Sequence, residues 1–424
     1  MTQDRIVVGI DVGTTKVCVL IGEAGDDERV EVIGVGIAPA RGMRKGIVVG
    51  AEEAVEAIEA AVRRAEQQSG YKIVSAFVSI SGAHLSSENS HGVVAVRGPG
   101  SLITPQDVER VLEAARTVSV PPDREVVHVL PRHFTVDGQD GVRDPVGMAG
   151  HRLEVETNIV TGALAAVHNL TRCIERLGVE IDALVPSALA AGEGVLREAE
   201  KDQGVLLIDI GGGTTDVAIF VDGSVEHLFS LPVGGYQITN DLAVALRTSY
   251  MVADSIKVQY GAACVDAVQQ DSSVTLQETD NGGRRVTTTR VEIAGYIEAR
   301  LAETFELIID RLRRARSERD LPAGVVLTGG SAQLPGIQHL AESIFDLPAR
   351  IGQPRGIYGL IDTISNPAYA TGVGLLRWGK TQLGEFEAEE ANGSGPRILH
   401  GLAKWLRSFL PEGGDKRGKR SVQQ

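Results

Sequence analysis

The chain has 424 residues, of which 43% are hydrophobic, 23% charged and 4% aromatic, and its formal net charge is −14 at pH 7. That length supplies about three domains' worth of chain, and the acidic balance with few aromatic residues excludes a general nucleic-acid-binding surface. Three scattered cysteines, Cys18, Cys173 and Cys264, exclude a disulfide framework or a zinc site and fit a reducing cytoplasm. The opening MTQDRIVVGID has no basic region followed by a long apolar one, so no signal peptide is expected. No run of about 20 apolar residues offers a membrane span.

In chain order, Ile6 to Ile10 is a continuous apolar run, the pattern of a strand covered on both faces. Val17 to Ile21 and Glu31 to Ala38 continue the sheet, Glu52 to Gln67 repeats apolar residues at helical spacing, and Ile73 to Ser81 is again strand. Between about His84 and Val160 a different texture intervenes. Thr104 to Val118 reads as a helix with Thr104 as N-cap and Pro105 at its first position. Strands around an Asp-Gly turn follow it, which marks an inserted subdomain. Ala163 to Leu177 and Ala188 to Glu200 read as helices flanking a short strand at Asp182 to Pro186. Gln237 to Leu246 is helical, Val274 to Val291 a polar, exposed hairpin, and Ile293 to Ser317 a long helix with arginines toward its negative end. Pro367 to Leu376 reads as a small-residue helix packed closely on another.

The chain carries one device twice. Gly9 to Leu20 reads GIDVGTTKVCVL and Leu206 to Phe220 reads LLIDIGGGTTDVAIF. Each is an apolar strand ending in Asp, a Gly/Thr turn and a second apolar strand. Glycine lets backbone N–H groups approach phosphate oxygens without a Cβ in the way, and threonine hydroxyls add donors. Asp11 and Asp209 would hold Mg²⁺ through its waters, because that ion sheds its hydration shell reluctantly. A third element, VVLTGGSAQLPG from Val325 to Gly336, ends a strand in a Gly-Gly turn suited to a nucleoside.

After Gly379 the globular pattern stops. Thr381 to Pro396 is acidic and then Gly/Ser-rich, a flexible linker. In RILHGLAKWLRSFL, Arg397 to Leu410, the residues Ile398, Leu399, Leu402, Trp405, Leu406, Phe409 and Leu410 share one helical face, opposite His400, Lys404 and Arg407. Such a helix suits a membrane interface; a protein groove is the alternative. Residues Arg397 to Arg420 carry seven basic and two acidic side chains, against the acidic balance of the whole. His128 and His133, in HVLPRH, are better read as structural than as a metal pair.

The paired hairpins with the TGG loop resemble the actin-like ATPase superfamily, and nearly the whole chain resembles the FtsA family of bacterial cell-division proteins. Val136 to Gly162 (VDGQDGVRDPVGMAGHRLEVETNIVTG), Val326 to Ile337 and the terminal linker with its helix carry that resemblance. It implies an α/β, actin-like, ribonuclease H-like duplicated fold of two lobes. Subdomain 1A (1–83, 163–195, 362–380) would be interrupted by an inserted 1C (84–162), followed by 2A (196–233, 318–361), 2B (234–317), the linker (381–396), the amphipathic helix (397–411) and a basic tail (412–424).

By position the resemblance implies ATP with Mg²⁺ held by Asp11, Gly13, Thr14, Thr15 and Lys16 of the first phosphate loop and Asp209, Gly211, Gly212, Gly213, Thr214 and Thr215 of the second. Gly234 and Gly235 would floor the site, and Gly329, Gly330 and Ser331 would belong to the adenosine loop. In the segment Ala253 to Lys257, Lys257 fits a contact to the ribose and adenine region, while Asp254 stands where relatives have the longer Glu. An ungapped comparison places Val185 where actin and the chaperones carry a water-positioning Glu or Gln; valine can neither accept a proton nor orient water, so hydrolysis is expected to be slow. Arg300 and Glu303 would dock the acidic C-terminal tail of FtsZ. Further implied partners are a second copy of the chain in actin-like filaments, membrane lipids at the cytoplasmic face of the septum, and later division proteins. A sugar or polyol kinase of the same fold and a pilus-assembly scaffold are the rival readings; a kinase needs a carboxylate base for its substrate hydroxyl and has no use for a lipid-seeking tail.

Overall fold

The structure is a computed structural model that describes residues 5–25, 29–97, 99–116, 120–269, 272–277, 285–315 and 321–392. Two sheets carry the molecule and repeat one plan. In the first, Ile6–Val12, Lys16–Ala24 and Val30–Pro39 form an antiparallel meander. Ile6–Val12 also lies parallel to Ser75–Ile80, which lies parallel to Glu180–Pro186. In the second, Val205–Ile210, Thr215–Val221 and Ser224–Leu231 form the same meander. Here Val205–Ile210 lies parallel to Val325–Thr328, and that strand parallel to Ala349–Ile351. Val205–Ile210 and Thr215–Val221 are buried at every position, their apolar stretches together with Asp209, Thr215 and Asp216 at the turn end.

Small residues bring helices unusually near to strands and to each other. Helix Ala51–Ser69 lays Ala54, Ala57, Ile58, Ala61, Val62 and Ala65 on the first sheet. A Cβ at Gly36 would stand 1.9 Å from the Ala61 carbonyl, so only glycine admits that helix. Between the two sheets, helix Ser187–Val195 crosses helix Ala370–Asn392. Their contact is backbone on backbone: a Cβ at Gly374 would lie 1.6 Å from the Ala190 carbonyl oxygen, and one at Gly194 2.3 Å from that of Ala370.

In the second lobe, helices Gly235–Ala245, Tyr250–Tyr260 and Arg290–Arg314 surround a core that includes Ile238, Leu242, Ile256, Ile297 and Phe305. The long helix starts at a capping box: Thr289 Oγ1 accepts from the Glu292 amide at 3.2 Å, and the Glu292 carboxylate accepts from the Thr289 amide at 3.1 Å. It ends with Arg311, Arg313 and Arg314 at its negative pole. The polar hairpin before it pairs Ser273–Gln277 with Arg285–Thr289.

The insertion forms its own layer. Strands Ser86–Ala95, Arg152–Ala163, Arg124–Val136 and Gln139–Val142 stand side by side in that order. Helix Pro105–Arg116 packs Val108, Val111, Leu112 and Ala115 on one of their faces, against Phe134 and Leu153. The Asp-Gly turn has positive φ at both Asp137 and Gly138, 47° and 87°, as a tight hairpin demands.

The structure differs from the sequence reading at several boundaries. Ile357–Gly359 runs parallel to Val30–Pro39, so the chain has rejoined the first sheet before residue 362. The helix expected over 188–200 breaks at Leu196, which is extended (ψ 151°) and fully buried. Arg350 and Arg355 take up the freed carbonyls of Val195 and Leu196. Residues 381–392, read as flexible linker, continue helix Ala370–Asn392; the Glu- and Ala-rich stretch has high helix propensity. The rest of the linker, the amphipathic segment 397–411 with its seven apolar residues, and the basic tail lie outside the described residues.

The glycine contacts give a paired test. Gly374→Val should lower stability by about 3 kcal/mol through overpacking. Gly295→Ala, in the interior of Arg290–Arg314, should raise it by about 0.5–1 kcal/mol, since an added Cβ there meets only Val265 Cγ2 at 3.9 Å. Urea denaturation of both variants measures the contrast.

Candidate functional site

The two hairpin turns are closed in the same way. The Gly13 amide donates to the Lys16 carbonyl at 3.0 Å and the Gly211 amide to the Thr214 carbonyl at 2.9 Å. They face each other at a distance that admits no side chain on the second turn: a Cβ at Gly212 would lie 2.0 Å from Thr15 Oγ1, and one at Gly213 2.7 Å from Thr14 Oγ1. Helix Gly235–Ala245 is tied to the second turn, since the amides of Gly235 and Tyr236 donate to the carbonyls of Gly211 and Gly212 at 2.9 and 2.7 Å. The Tyr236 hydroxyl crosses to the first turn and donates to the Thr14 carbonyl at 3.2 Å. The Gly-Gly turn closes a third side. Gly329 has φ +87°, and a Cβ there would lie 2.3 Å from Asp209 Oδ1. Between these turns is a cleft of about 200 Å³ whose lining includes Asp11, Lys16, Ser81, Asp209, Asp216 and Thr371.

Three carboxylates are buried there. Asp11 accepts from Ser79 Oγ at 2.7 Å, and Asp209 from Thr371 Oγ1 at 2.9 Å. Asp216 accepts from Ser81 Oγ at 2.7 and 2.9 Å and from Thr214 Oγ1 at 3.0 Å. Burial pushes Asp209 up to about 7, with the neighbouring charges of Asp216 and Asp11 adding to it while Thr371 and Lys16 oppose. Burial likewise pushes Asp216 up to about 6 against the hydroxyls around it. Asp11 is raised by burial too, with Lys16 and Ser79 opposing. Lys16 donates its ammonium to the Ala368 carbonyl at 2.5 Å, over the Tyr369 ring. With three acids and one ammonium in the lining, Lys16 acting on Asp11 and Asp209, negative charge remains that a hydrated cation and the donors of the turns are suited to meet.

The expected residues fall into groups. Asp11, Gly13, Thr14, Thr15, Lys16, Asp209, Gly211, Gly212, Thr214, Gly329 and Gly330 line the cleft. Thr215 is fully buried and ties the Val233 carbonyl instead. Gly234, Gly235, Ser331, Asp254 and Lys257 gather beside it: Lys257 Nζ bonds Asp254 and Thr239, both at 2.7 Å, and a Cβ at Gly235 would lie 2.9 Å from Ser331 Oγ. Arg300 and Glu303 lie apart, paired with each other and, through Arg300, with Asp241. Val185 is fully buried in the apolar core. The chain turns at Pro186 into a helix, and Ser187 is the residue that lines the cleft. His128 is buried edge-on to Trp378, and His133 lies 3.4 Å from Asp140.

Ser79, Ser81, Ser187, Asp216, Thr371 and Tyr236 escaped the sequence reading. Asp216 alone left a local signal, because it stands directly opposite Asp209 in the hairpin register.

Two duplicated lobes closing paired Asp-Gly-Thr hairpins on one cleft define an actin-like fold, here with an inserted subdomain. Solved structures bear this out. A chain of the "PilM-PilN type IV pilus biogenesis complex" superposes with a TM-score of 0.61 at 14% identity, covering 88% of this chain and 98% of that one. MreB5 of Spiroplasma citri bound to AMPPNP gives 0.55 at 16% identity, covering 91% and 99%. The family model "Cell division protein FtsA" matches residues 206–374, and "SHS2 domain inserted in FTSA" matches residues 82–161. The cell-division protein FtsA of Pseudomonas aeruginosa is 42% identical over 410 residues, covering 95% of this chain and 97% of the relative. Those of Bacillus subtilis and Escherichia coli K12 are 40% and 36% identical, covering 89% and 96% of this chain and 84% and 97% of the relatives. The chain belongs to the FtsA family of cell-division proteins.

The raised carboxylates set a pH dependence. Asp209 binds its proton more tightly in the folded chain (about 7) than at its ordinary 3.8. Its stabilising contribution is therefore full below pH 3.8 and is lost as pH rises to about 7. Melting of the nucleotide-free protein should show this loss across that window, and Asp209→Asn should flatten it. Equal pH slopes in the two proteins would contradict the assignment.

Proposed function

We propose that the chain binds ATP with Mg²⁺ in this cleft, self-assembles, and tethers FtsZ filaments to the cytoplasmic face of the membrane at the division septum, where later division proteins join. The observation that carries the nucleotide reading is the set of three buried carboxylates around one lysine, enclosed by two glycine turns in contact. Asp11 and Asp209, with Asp216 behind them, would hold the hydrated cation, which would neutralise phosphate charge and keep the acids ionised. Lys16 and the hydroxyls of Thr14, Thr15 and Thr214 would meet phosphate oxygens. Gly330, Ser331 and Lys257 would meet the nucleoside. Because the two turns belong to different lobes, a ligand held by both favours the closed form over the open one.

The lining of the cleft includes aspartates but neither Glu nor Gln, and all three aspartates are held by hydroxyls, so hydrolysis is proposed to be slow. On helix Arg290–Arg314, Tyr296, Arg300, Glu303 and Leu307 recur at helical spacing, with Tyr296 42% and Leu307 41% exposed. Tyr296 and Leu307 flank the Arg300 guanidinium, which would exchange Asp241 and Glu303 for the carboxylates of an acidic, extended peptide. Among the described residues no helix is long and apolar enough to cross a membrane, so attachment is assigned to the amphipathic segment 397–410. One such helix binds lipid weakly, and self-assembly would multiply the attachments.

Two experiments test this reading. In vesicle co-sedimentation, the full chain should pellet with anionic vesicles, more so with Mg-ATP, while a truncation at Gly395 and the Lys16→Ala variant should lose the pelleting and the ATP response respectively. Equal pelleting of full and truncated chains would remove the anchor. For the docking face, Arg300→Ala should weaken FtsZ tail-peptide binding about tenfold in fluorescence anisotropy, an effect that shrinks with salt; unchanged affinity would move the dock elsewhere.

A further inference from the structure

The inserted subdomain leaves the first lobe, yet its sheet is joined to the second. Ser86, at the start of its first strand, pairs with Phe229 of Ser224–Leu231, so nine strands run continuously from the second lobe into the insertion. Beside that single bridge the Ser87 hydroxyl does the work of a ladder: it accepts from the Leu228 amide at 2.9 Å and donates to the Leu228 carbonyl at 2.8 Å. Ser87 is 7% and Leu228 2% exposed, so water cannot take over either group. Asn158 reinforces the seam, donating from Nδ2 to the Glu226 carbonyl at 3.1 Å and to Asn89 Oδ1 at 2.7 Å.

The same short stretch of chain also touches the cleft. Ser81 donates to both Asp216 oxygens and lies 2.9 Å from Thr214 Oγ1 on the second hairpin. Asp216 is on Thr215–Val221, the strand that pairs with Ser224–Leu231. The link between Ser81 and Ser86 is short and shaped: Gly82 has φ +129°, and the Leu85 amide donates back to the Gly82 carbonyl at 2.9 Å. Arg124 clasps the two crossings of the neck together, bonding the carbonyls of His84 and Thr161, each at 2.9 Å, and Thr161 Oγ1 at 3.0 Å.

We propose that the inserted subdomain is geared to the second phosphate hairpin through Ser81 at the cleft and Ser87 at the seam, so that a change of occupant in the cleft is passed to the insertion as a change in the seam. The proposal rests on the nucleotide reading above. Its physical basis is that the insertion has two attachments, a neck on the first lobe and a sheet edge on the second. Any relative motion of the lobes must either strain the seam or carry the insertion along. Because both Ser87 bonds to Leu228 are buried, breaking the seam forfeits them where water cannot replace them, and carrying the insertion along is the easier course.

Amide hydrogen exchange of the full chain, read by mass spectrometry with Mg²⁺ and a non-hydrolysable ATP analogue or without them, tests the gearing. Nucleotide binding is measured separately by calorimetry. Bound nucleotide should slow exchange in residues 86–92 and 153–161 by about threefold or more. Ser87→Ala should bind nucleotide with affinity within about twofold of the unaltered chain and lose the response in those strands; Ser87→Thr, which keeps the hydroxyl, should retain it. Binding by the unaltered chain without a change in those strands overturns the gearing and leaves the nucleotide reading intact, as does a full response in Ser87→Ala. Failure of the unaltered chain to bind nucleotide overturns both.

Discussion

The crowding of Asp11, Asp209 and Asp216 into one cleft with Lys16 is the constraint on which the rest of the molecule depends. Three acids withdrawn from water in a space of about 200 Å³ stay ionised only if cationic and donor groups surround them. The surroundings come from everywhere: Ser79 and Ser81 from the end of one strand, Thr214 from a turn, Thr371 from the first turn of the last long helix. Each hydroxyl sits at the end of an element that must be in register for its donor to reach. The two sheets, the helix pair between them and the Gly-Gly turn are thus fixed relative to one another by the demands of one small volume.

The duplication explains both the symmetry of the site and its bias. The two meanders share strand order and direction, and both turns are closed by a glycine amide. At one register position they diverge: opposite Asp11 stands Cys18, and opposite Asp209 stands Asp216. Burial pushes the Cys18 thiol up to about 12, so it stays neutral. The second hairpin therefore carries two acids and the first carries one acid beside the lysine. The negative charge lies toward the second lobe and the positive charge on the first, so the cation and phosphates of the ligand proposed above would be met by complementary halves.

Much of this was legible in the sequence, and the limits have a physical pattern. The hairpins, their acids and the glycine loops are local signals, each written within about fifteen consecutive residues. The alternation of strand and helix foretold the sheets, and the shift of texture near residue 84 marked the insertion. Ser81 and Thr371 were not legible, because they reach their aspartates from 135 and 162 residues away, a proximity that tertiary packing alone creates. Val185 shows the opposite error. Position-by-position comparison put it at the cleft, but the chain turns at Pro186 and delivers Ser187 there, while Val185 joins the core. The pairing of the insertion with the second lobe left no trace either, since a strand's composition states that it will pair and not with which neighbour.

Helix Ala370–Asn392 begins at the cleft, where Thr371 holds Asp209, and is pinned within its first turns by the glycine contact with helix Ser187–Val195. Its residues 381–392 continue without a break beyond the small-residue contact. At the α-helical rise they add about 18 Å. A flexible tether would let a body wander over a range of heights above a surface, set by chain statistics. A helix rooted in the core instead sets how far its end stands from the body. On the reading proposed above, in which residues 397–410 attach the chain, that spacing would be common to neighbouring copies.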